Sequence, residues 1–185
     1  MENREIEVRF IEIDKNFLLA KLKEVGAIDN GEELIKEIIF YDKEMKWPKE
    51  WKFVRLRQDK KGNKLTFKKV EEFSIDGTIE VEIVVDDWNK AVELVKTIGL
   101  IDYRQQEKKR HSFLLDGVEV DLIDWPLVPT LVELEGKDEQ SLRLVADKIG
   151  LDWTEVELRD NRWLMENKYK IPFTSLRFYT FTKIE

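Results

Sequence analysis

Like-charged residues two positions apart recur along this chain: Glu5 with Glu7, Arg55 with Arg57, Glu80 with Glu82, Lys108 with Arg110, Glu119 with Asp121, and Glu133 with Glu135; Arg9 and Lys68 extend the set. On an extended strand, residues two apart share a face. Each pair therefore projects to one side, while apolar neighbours such as Ile6, Val8 and Phe10, or Val54 and Leu56, project to the other. The signs are sorted along the chain: the first, seventh and eighth strand-like segments are acidic, and those around Arg55, Lys68 and Lys108 are basic. That division suits a ligand that is an anion along one part and metal-bound at another. Arginine forks make bidentate bonds to phosphoryl oxygens, lysine supplies a point charge, and carboxylates hold the magnesium that bridges a phosphate chain.

Bulk composition narrows the chemistry further. The chain has no cysteine, which removes disulfides, thiolate metal sites and cysteine nucleophiles. With His111 the only histidine, a metal site must be built from carboxylates, which selects hard cations such as Mg2+ or Mn2+ over zinc. A net charge of −7 argues against broad adhesion to nucleic acid, leaving a 5′-triphosphate end as the one nucleic-acid feature such a site would grip. At 185 residues, 42% hydrophobic and 38% charged, the sequence reads as one globular domain over 1–185. No run approaches the roughly 20 apolar residues that span a bilayer, and residues 1–10 lack a signal-peptide core, so the expectation is a cytoplasmic protein with no membrane contact.

The elements that must position the charges follow from periodicity. Segments 5–10, 53–57, 65–68, 79–85, 118–122 and 131–135 alternate apolar and polar residues as strands do, and 35–41 and 105–115 complete a set of about eight. Turns such as Lys60-Lys61-Gly62-Asn63 and Leu115-Asp116-Gly117 predict antiparallel pairing. Helical periods over 14–25, 87–98 and 138–149 end at Gly26, Gly99 and Gly150, giving three amphipathic helices. A fourth helix is predicted near 155–169, before Pro172, and the aromatic tail 173–181 has no evident role. If the apolar strand faces pack on the helices, the charged faces look either to bulk water or into a barrel lumen.

The opening Glu5-Ile6-Glu7-Val8-Arg9 resembles the ExExK signature of the CYTH superfamily, the triphosphate tunnel metalloenzymes, which include class IV adenylate cyclases, thiamine triphosphatases and inorganic triphosphatases. The resemblance continues through Tyr41-Asp42, Val54-Arg55-Leu56-Arg57, Leu65-Thr66-Phe67-Lys68, Glu80-Val81-Glu82, Lys108-Lys109-Arg110, Val120-Asp121 and Val132-Glu133-Leu134-Glu135, over about 3–150. It implies an α+β fold: a closed or nearly closed antiparallel eight-stranded β-barrel with amphipathic helices packed outside, followed by an extension over 151–185. It also implies metal ligands at Glu5, Glu7, Glu133 and Glu135, with Asp121 associated with them. Arg55, Arg57, Lys68, Lys108 and Arg110 would hold the triphosphate, and Glu80 and Glu82 would support them or join the metal site. Glu5, Glu7, Arg9 and Asp121 would then form the catalytic group. Two positions depart from the pattern. Arg9 replaces the signature lysine, so it can bind phosphate but not accept a proton, and Thr78 replaces a basic residue often found two before the paired glutamates.

The function implied is metal-dependent hydrolysis of tripolyphosphate or an organic triphosphate at the terminal phosphate. The alternatives are a class IV adenylate cyclase, making cyclic AMP and pyrophosphate from ATP, and a non-catalytic binder of polyphosphate or of 5′-triphosphorylated RNA. His111 falls on the strand parity opposite to Lys108 and Arg110, so it points away from the site, and Trp47-Pro48 and Trp125-Pro126 read as turns with aromatic packing. Lys60, Lys61 and Lys64 read as solvated charge at a hairpin tip. Outward-facing Val132 and Leu134, with the aromatic tail, leave apolar material for a homodimer contact.

Overall fold

The N-terminal strand runs as two pieces, β1 (Arg4–Glu5) and β2 (Glu7–Phe10), in a computed structural model that describes residues 4–185 except the side chain of Glu5. The other strands are β3 (Ile28–Asp42), β4 (Lys52–Asp59), β5 (Gly62–Val70), β6 (Thr78–Val85), β7 (Leu100–Leu115), β8 (Val118–Asp124), β9 (Leu131–Glu135) and the short β10 (Phe178–Tyr179). Helices α1 (Lys15–Glu24), α2 (Trp88–Thr97) and α3 (Glu139–Lys148) complete the predicted set. Asp14, Asp87 and Asp138 cap them by accepting backbone N–H bonds from the first turn.

The sheet order is β1-β6-β5-β4-β3-β7-β8-β9-β2. Its two ends are the two halves of one strand: β1 pairs with β6 (Glu5↔Thr78) and β2 with β9 (Glu7↔Glu135). The eight-stranded antiparallel sheet therefore curls round on itself, as the α+β barrel expectation required. Pairing within the ring fixes which residues share the inside, because the side-chain period of a strand is two. Ser112↔Asp121, Asp121↔Glu133 and Glu133↔Arg9 form one row across four strands, and Glu119↔Glu135 and Glu135↔Glu7 form the next.

The apolar residues between them face outward and are covered by helices. Val8, Phe10, Val120, Leu122, Val132 and Leu134 pack against Leu18 and Leu22 of α1 and Leu142, Val145 and Ala146 of α3. Phe40, Leu56 and Leu100 pack against Ala91 and Val95 of α2. Val132 and Leu134 are thus fully buried in the protein's own core, so these two are not free for the homodimer contact expected of them, whereas Phe181 of the tail is 41% exposed. On the outer wall of β6 only Val85, among its described residues, joins the α2 cluster, and Val81 and Ile83 are 50% and 55% exposed.

Two sequence expectations change. Strand β3 begins at Ile28 rather than near 35: a bulge carries it through Asp29-Asn30-Gly31, where the register with β7 shifts between Asp29 and Gly31 and Gly31 takes φ +85°. The helix predicted near 155–169 is replaced by a 3-10 turn (Trp153–Glu155), an extended stretch, and the short α4 (Asn161–Trp163), which runs on as a π turn (Leu164–Lys168). Tertiary pairing overrides the helical pattern: Glu157 N donates to Arg9 O at 2.7 Å, which holds that stretch extended against β2. Beyond it, β10 pairs in parallel with β7 at Gln105 and Gln106. Among the described residues no helix is long and apolar enough to cross a membrane.

Leu134→Ala, beneath α1 and α3, should cost about 2–5 kcal/mol in urea unfolding. Val81→Ala, on the bare wall, should stay within about 0.5 kcal/mol.

Candidate functional site

Inside the ring the charged rows line a lumen with two connected chambers. One is a wholly charged and polar chamber of about 290 Å³, bordered by Arg55, Arg57, Lys68, Lys108, Arg110, Glu80, Glu82, Glu119, Asp121, Glu133 and Glu135. The other, of about 140 Å³, lies toward the end where the inward row turns apolar at Ile123 and Leu131. There Ile123, Trp125 and Leu131 pack with Met165, Ile171, Phe173, Leu176 and Tyr179 of the C-terminal segment, which closes that end. Glu7, Arg9, Arg55, Lys68, Lys108 and Asn161 border both chambers.

The basic side chains are held apart by interleaved carboxylates. Arg55 lies 3.6 Å from Glu37 and 3.8 Å from Glu80, Lys68 3.3 Å from Glu80, and Arg57 3.3 Å from Glu82 and 3.6 Å from Asp59. Glu82 also takes Lys64 at 2.6 Å. Arg110 is gripped by Glu33 at 2.8 Å and reaches Asp59 and Asp121 at 3.6 and 3.5 Å, while Asp121 also accepts a short bond from the Ser112 hydroxyl. Glu80 and Glu82 therefore sit as spacers among the cations, on the strand that flanks the first strand opposite to β9 with its Glu133 and Glu135. Lys108 lies over the Trp125 ring, 5.4 Å from its centroid.

Arg9 is the most heavily engaged of these groups. Its Nε and Nη2 donate to one oxygen of Glu133 at 2.9 and 2.6 Å, Nη2 also donates to Glu7 at 2.8 Å, and Nη1 donates to the backbone oxygen of Arg159 at 2.8 Å. The side chain expected to contact phosphate thus has its donors turned to protein acceptors, tying the first strand to the ninth and to the C-terminal segment.

The electrostatics show where charge is and is not compensated. Burial works against the Glu133 carboxylate, but Arg9 and Lys108 outweigh it and hold its pKa down to about 2. Burial also opposes the Arg9 guanidinium, yet Glu133 and Glu7 raise its pKa further. Glu135 has less help: burial, then Glu7 and Glu119, push it up to about 7 against the opposing pull of Lys68. Glu7 is raised by burial and by Glu133. Lys108 is lowered by burial despite Glu37 and Glu133. Positive charge is thus wanted beside Glu7 and Glu135, and negative charge beside Lys108.

Oxygen donors of this kind suit a hard divalent cation. Glu7, Glu135 and Glu119 stand abreast on three adjacent strands, yet among the described residues no three carboxylates converge tightly enough to form a ready-made metal cage. Glu5, expected as a fourth ligand, has its side chain outside the described residues, though its backbone pairs with Thr78 at the seam. Thr78 itself lines the smaller chamber.

Inward residues not anticipated from sequence include Glu33, Glu37, Asp59, Lys64, Arg104 and Gln106, and Lys61 also borders the charged chamber. Asp59 shares parity with Arg55 and Arg57, so the strand period extended by one step would have placed it. Glu37 alternates with Ile35 and Ile39, which made its face look apolar. His111 points away, as parity predicted: it pairs with Asp29 at 2.7 Å and stacks on Phe113. Lys60 and Lys61 stay exposed at the hairpin tip.

Residues 3–158 match the CYTH domain family, and the chain belongs to it. A comparison with curated proteins gave no match. Among solved structures, the chain resembles the PH1012 protein of Pyrococcus horikoshii OT3 (22% identity, 84% of this chain and 96% of that one, TM-score 0.70). It also resembles the PH1819 protein of the same organism (20% identity, 89% and 99%, TM-score 0.71). A third likeness is to HpAC1 from Hippeastrum, described as having a dominant triphosphatase activity (12% identity, 90% and 96%, TM-score 0.61). At these identities the likeness concerns the fold.

Two outcomes test the lumen's electrostatics. Arg9→Gln strands buried Glu133 and Glu7 beside each other and should cost about 3–5 kcal/mol in chemical denaturation. Glu37 provides a pH test: burial opposes its charge, but Lys108 and Arg55 hold its pKa below the ordinary 4.5. A depressed folded-state pKa gives stability that is present above pH 4.5 and lost as pH falls through the folded value. Glu37→Gln should therefore flatten the acid limb of the stability profile below pH 4.5, measured by urea midpoints from pH 6 to pH 3.

Proposed function

We propose that the protein is a divalent-cation-dependent triphosphatase that binds a triphosphate along the charged chamber and transfers its terminal phosphoryl group to water. The observation that carries this reading is the chamber itself: five cationic side chains, Arg55, Arg57, Lys68, Lys108 and Arg110, face Glu7, Glu133 and Glu135 across one polar cavity of about 290 Å³. Family membership supports it.

In this reading the guanidinium groups of Arg55, Arg57 and Arg110 bind phosphoryl oxygens bidentately, and Lys68 and Lys108 add point charges. The carboxylates paired with them fix their directions before substrate arrives, so stabilising charge on the transferring phosphoryl group needs little reorganisation. Glu80 and Glu82 act by positioning Arg55, Lys68, Arg57 and Lys64, and Asp121 acts by positioning Arg110. Glu7 and Glu135, with Glu133 and Glu5, would hold Mg2+ or Mn2+, which when bound supplies positive charge to the phosphate chain. Arg9 serves as a fixed counter-charge and a tether for the C-terminal segment. The ligand is a small-molecule triphosphate.

Purified protein with Mg2+ or Mn2+ should release phosphate from tripolyphosphate. Arg57→Ala should lower kcat/KM by at least tenfold, and Glu7→Ala or a chelator should abolish turnover. Cyclic AMP and pyrophosphate from ATP would assign the cyclase reaction instead, and tight binding without turnover would assign a binding protein.

A further inference from the structure

The inward row of β7 runs from the closed apolar end of the lumen into the charged chamber as Arg104, Gln106, Lys108 and Arg110, every second residue of one strand. Lys108 and Arg110 are cations of the charged chamber. Arg104 and Gln106, 3% and 6% exposed, belong to a buried chain of polar contacts instead. Arg104 Nε donates to Gln106 Oε1 at 2.8 Å, and Gln106 Nε2 donates to Glu37 Oε2 at 2.5 Å. Glu37 is 3% exposed and ionised: burial opposes its charge, but Lys108 and Arg55 hold its pKa below the ordinary value. The direction of this chain is chemically fixed. A guanidinium only donates and a carboxylate only accepts, so the amide between them turns its oxygen to Arg104 and its nitrogen to Glu37.

One oxygen of Glu37 is thereby held by Gln106. The other, Oε1, makes no hydrogen bond within the protein and lies 3.6 Å from Nη1 of Arg55. Arg55 borders both chambers. An arginine side chain loses several rotamers when it grips a ligand, and a fixed carboxylate beside it removes part of that loss beforehand. The far end of the chain is set by the C-terminal segment. Arg104 Nη1 donates to the Phe173 oxygen at 3.0 Å, the Tyr103 hydroxyl donates to the Thr174 oxygen at 2.5 Å, and Gln105 N donates to the Arg177 oxygen at 2.9 Å. All three acceptors lie beyond residue 158, where the family match ends.

We propose that Glu37 is a positioning residue for the triphosphate site, held by Arg104 and Gln106 so that it aims Arg55 at the phosphoryl oxygens, and that the C-terminal segment thereby acts on triphosphate binding from outside the charged chamber. This rests on that chamber being a triphosphate site. The sign of the effect separates positioning from simple field. Glu37 brings negative charge to a lumen that receives an anion, so by charge alone its removal would tighten binding. Positioning requires the opposite.

The test is calorimetric binding of tripolyphosphate, at one fixed Mg2+ concentration, to the full-length protein and to Glu37→Gln and Gln106→Leu, each alone and combined with Arg55→Ala or Arg110→Ala. Glu37→Gln keeps the shape and removes the charge, whereas Gln106→Leu keeps every charge and removes the support. Arg110, gripped by Glu33, stands outside the chain of contacts. Each single variant should weaken binding about tenfold. In the Arg55→Ala background that loss should shrink to about twofold or less, and in the Arg110→Ala background it should persist. Unchanged or tighter binding by Glu37→Gln overturns the positioning role, as does an equal loss in both backgrounds, which marks general damage to the lumen. If Gln106→Leu does not fold, the isosteric Glu37→Gln decides by the same comparison. Absence of tripolyphosphate binding by the unaltered protein would overturn the triphosphate reading and this role with it, whereas binding without coupling to Arg55 overturns the role alone.

Discussion

Closure of the sheet on its own first strand forces charges of both signs into one enclosed space, and the Arg9–Glu133 pair at that seam is the interaction on which the rest depends. A buried ion is tolerated only when paired and hydrogen-bonded. Glu133 faces Arg9 because β2 pairs with β9 in a register that places them opposite each other, and a slip of β2 by one residue would turn Arg9 to the helix-covered face and leave Glu133 unpaired. The outer face enforces that register. Val8 and Phe10 on one strand, and Val132 and Leu134 on the other, must all lie beneath α1 and α3. The apolar exterior thus specifies the alignment of the charged interior, and the interior contributes little apolar burial of its own.

Much of this was legible in the sequence because one period governs both faces. Alternation identified the strands, the parity of Glu7 and Arg9, of Arg55 and Arg57, and of Glu133 and Glu135, and the outward direction of His111. Three kinds of information were hidden. Bulges interrupt alternation, so the front half of β3, with its bulge at Asp29-Asn30-Gly31, did not stand out as strand. Mixed strands defeat face assignment, as with Glu37 between Ile35 and Ile39. Long-range pairing was invisible: nothing local in residues 155–169 reports that Glu157 is held extended by Arg9 of the first strand, so a helical pattern there had no visible competitor.

That long-range pairing also gives the C-terminal segment its place. The inward row changes from Glu133 and Asp121 to Leu131 and Ile123 within one strand step, which leaves an apolar end to the lumen that water would otherwise fill. Phe173, Met165 and Tyr179 cover it, with Tyr179 stacked on Trp125 and its hydroxyl bonded to the Pro126 oxygen. Arg104 seals the same end, donating to Gln106 and to the Phe173 oxygen while lying 3.8 Å from the centre of the Phe173 ring. Residues 151–185 are therefore part of the barrel's construction.

The arginine at position 9 and this closed end belong to one solution. A lysine ammonium has three donors on a flexible stem, whereas the guanidinium presents five in a fixed plane. In this chain the fork reaches Glu133, Glu7 and the Arg159 oxygen at once, so one side chain satisfies two carboxylates of the lumen and fastens the segment carrying Asn161. Replacing the signature lysine by arginine exchanges a movable charge for a rigid cross-brace. The charge that remains uncompensated, at Glu135 and at Lys108, lies at separate positions along the lumen rather than at the brace. A lumen with its scaffold charges locked and its remaining charges of opposite sign is complementary to a ligand carrying both, which is the form a triphosphate takes when a divalent cation is bound to it.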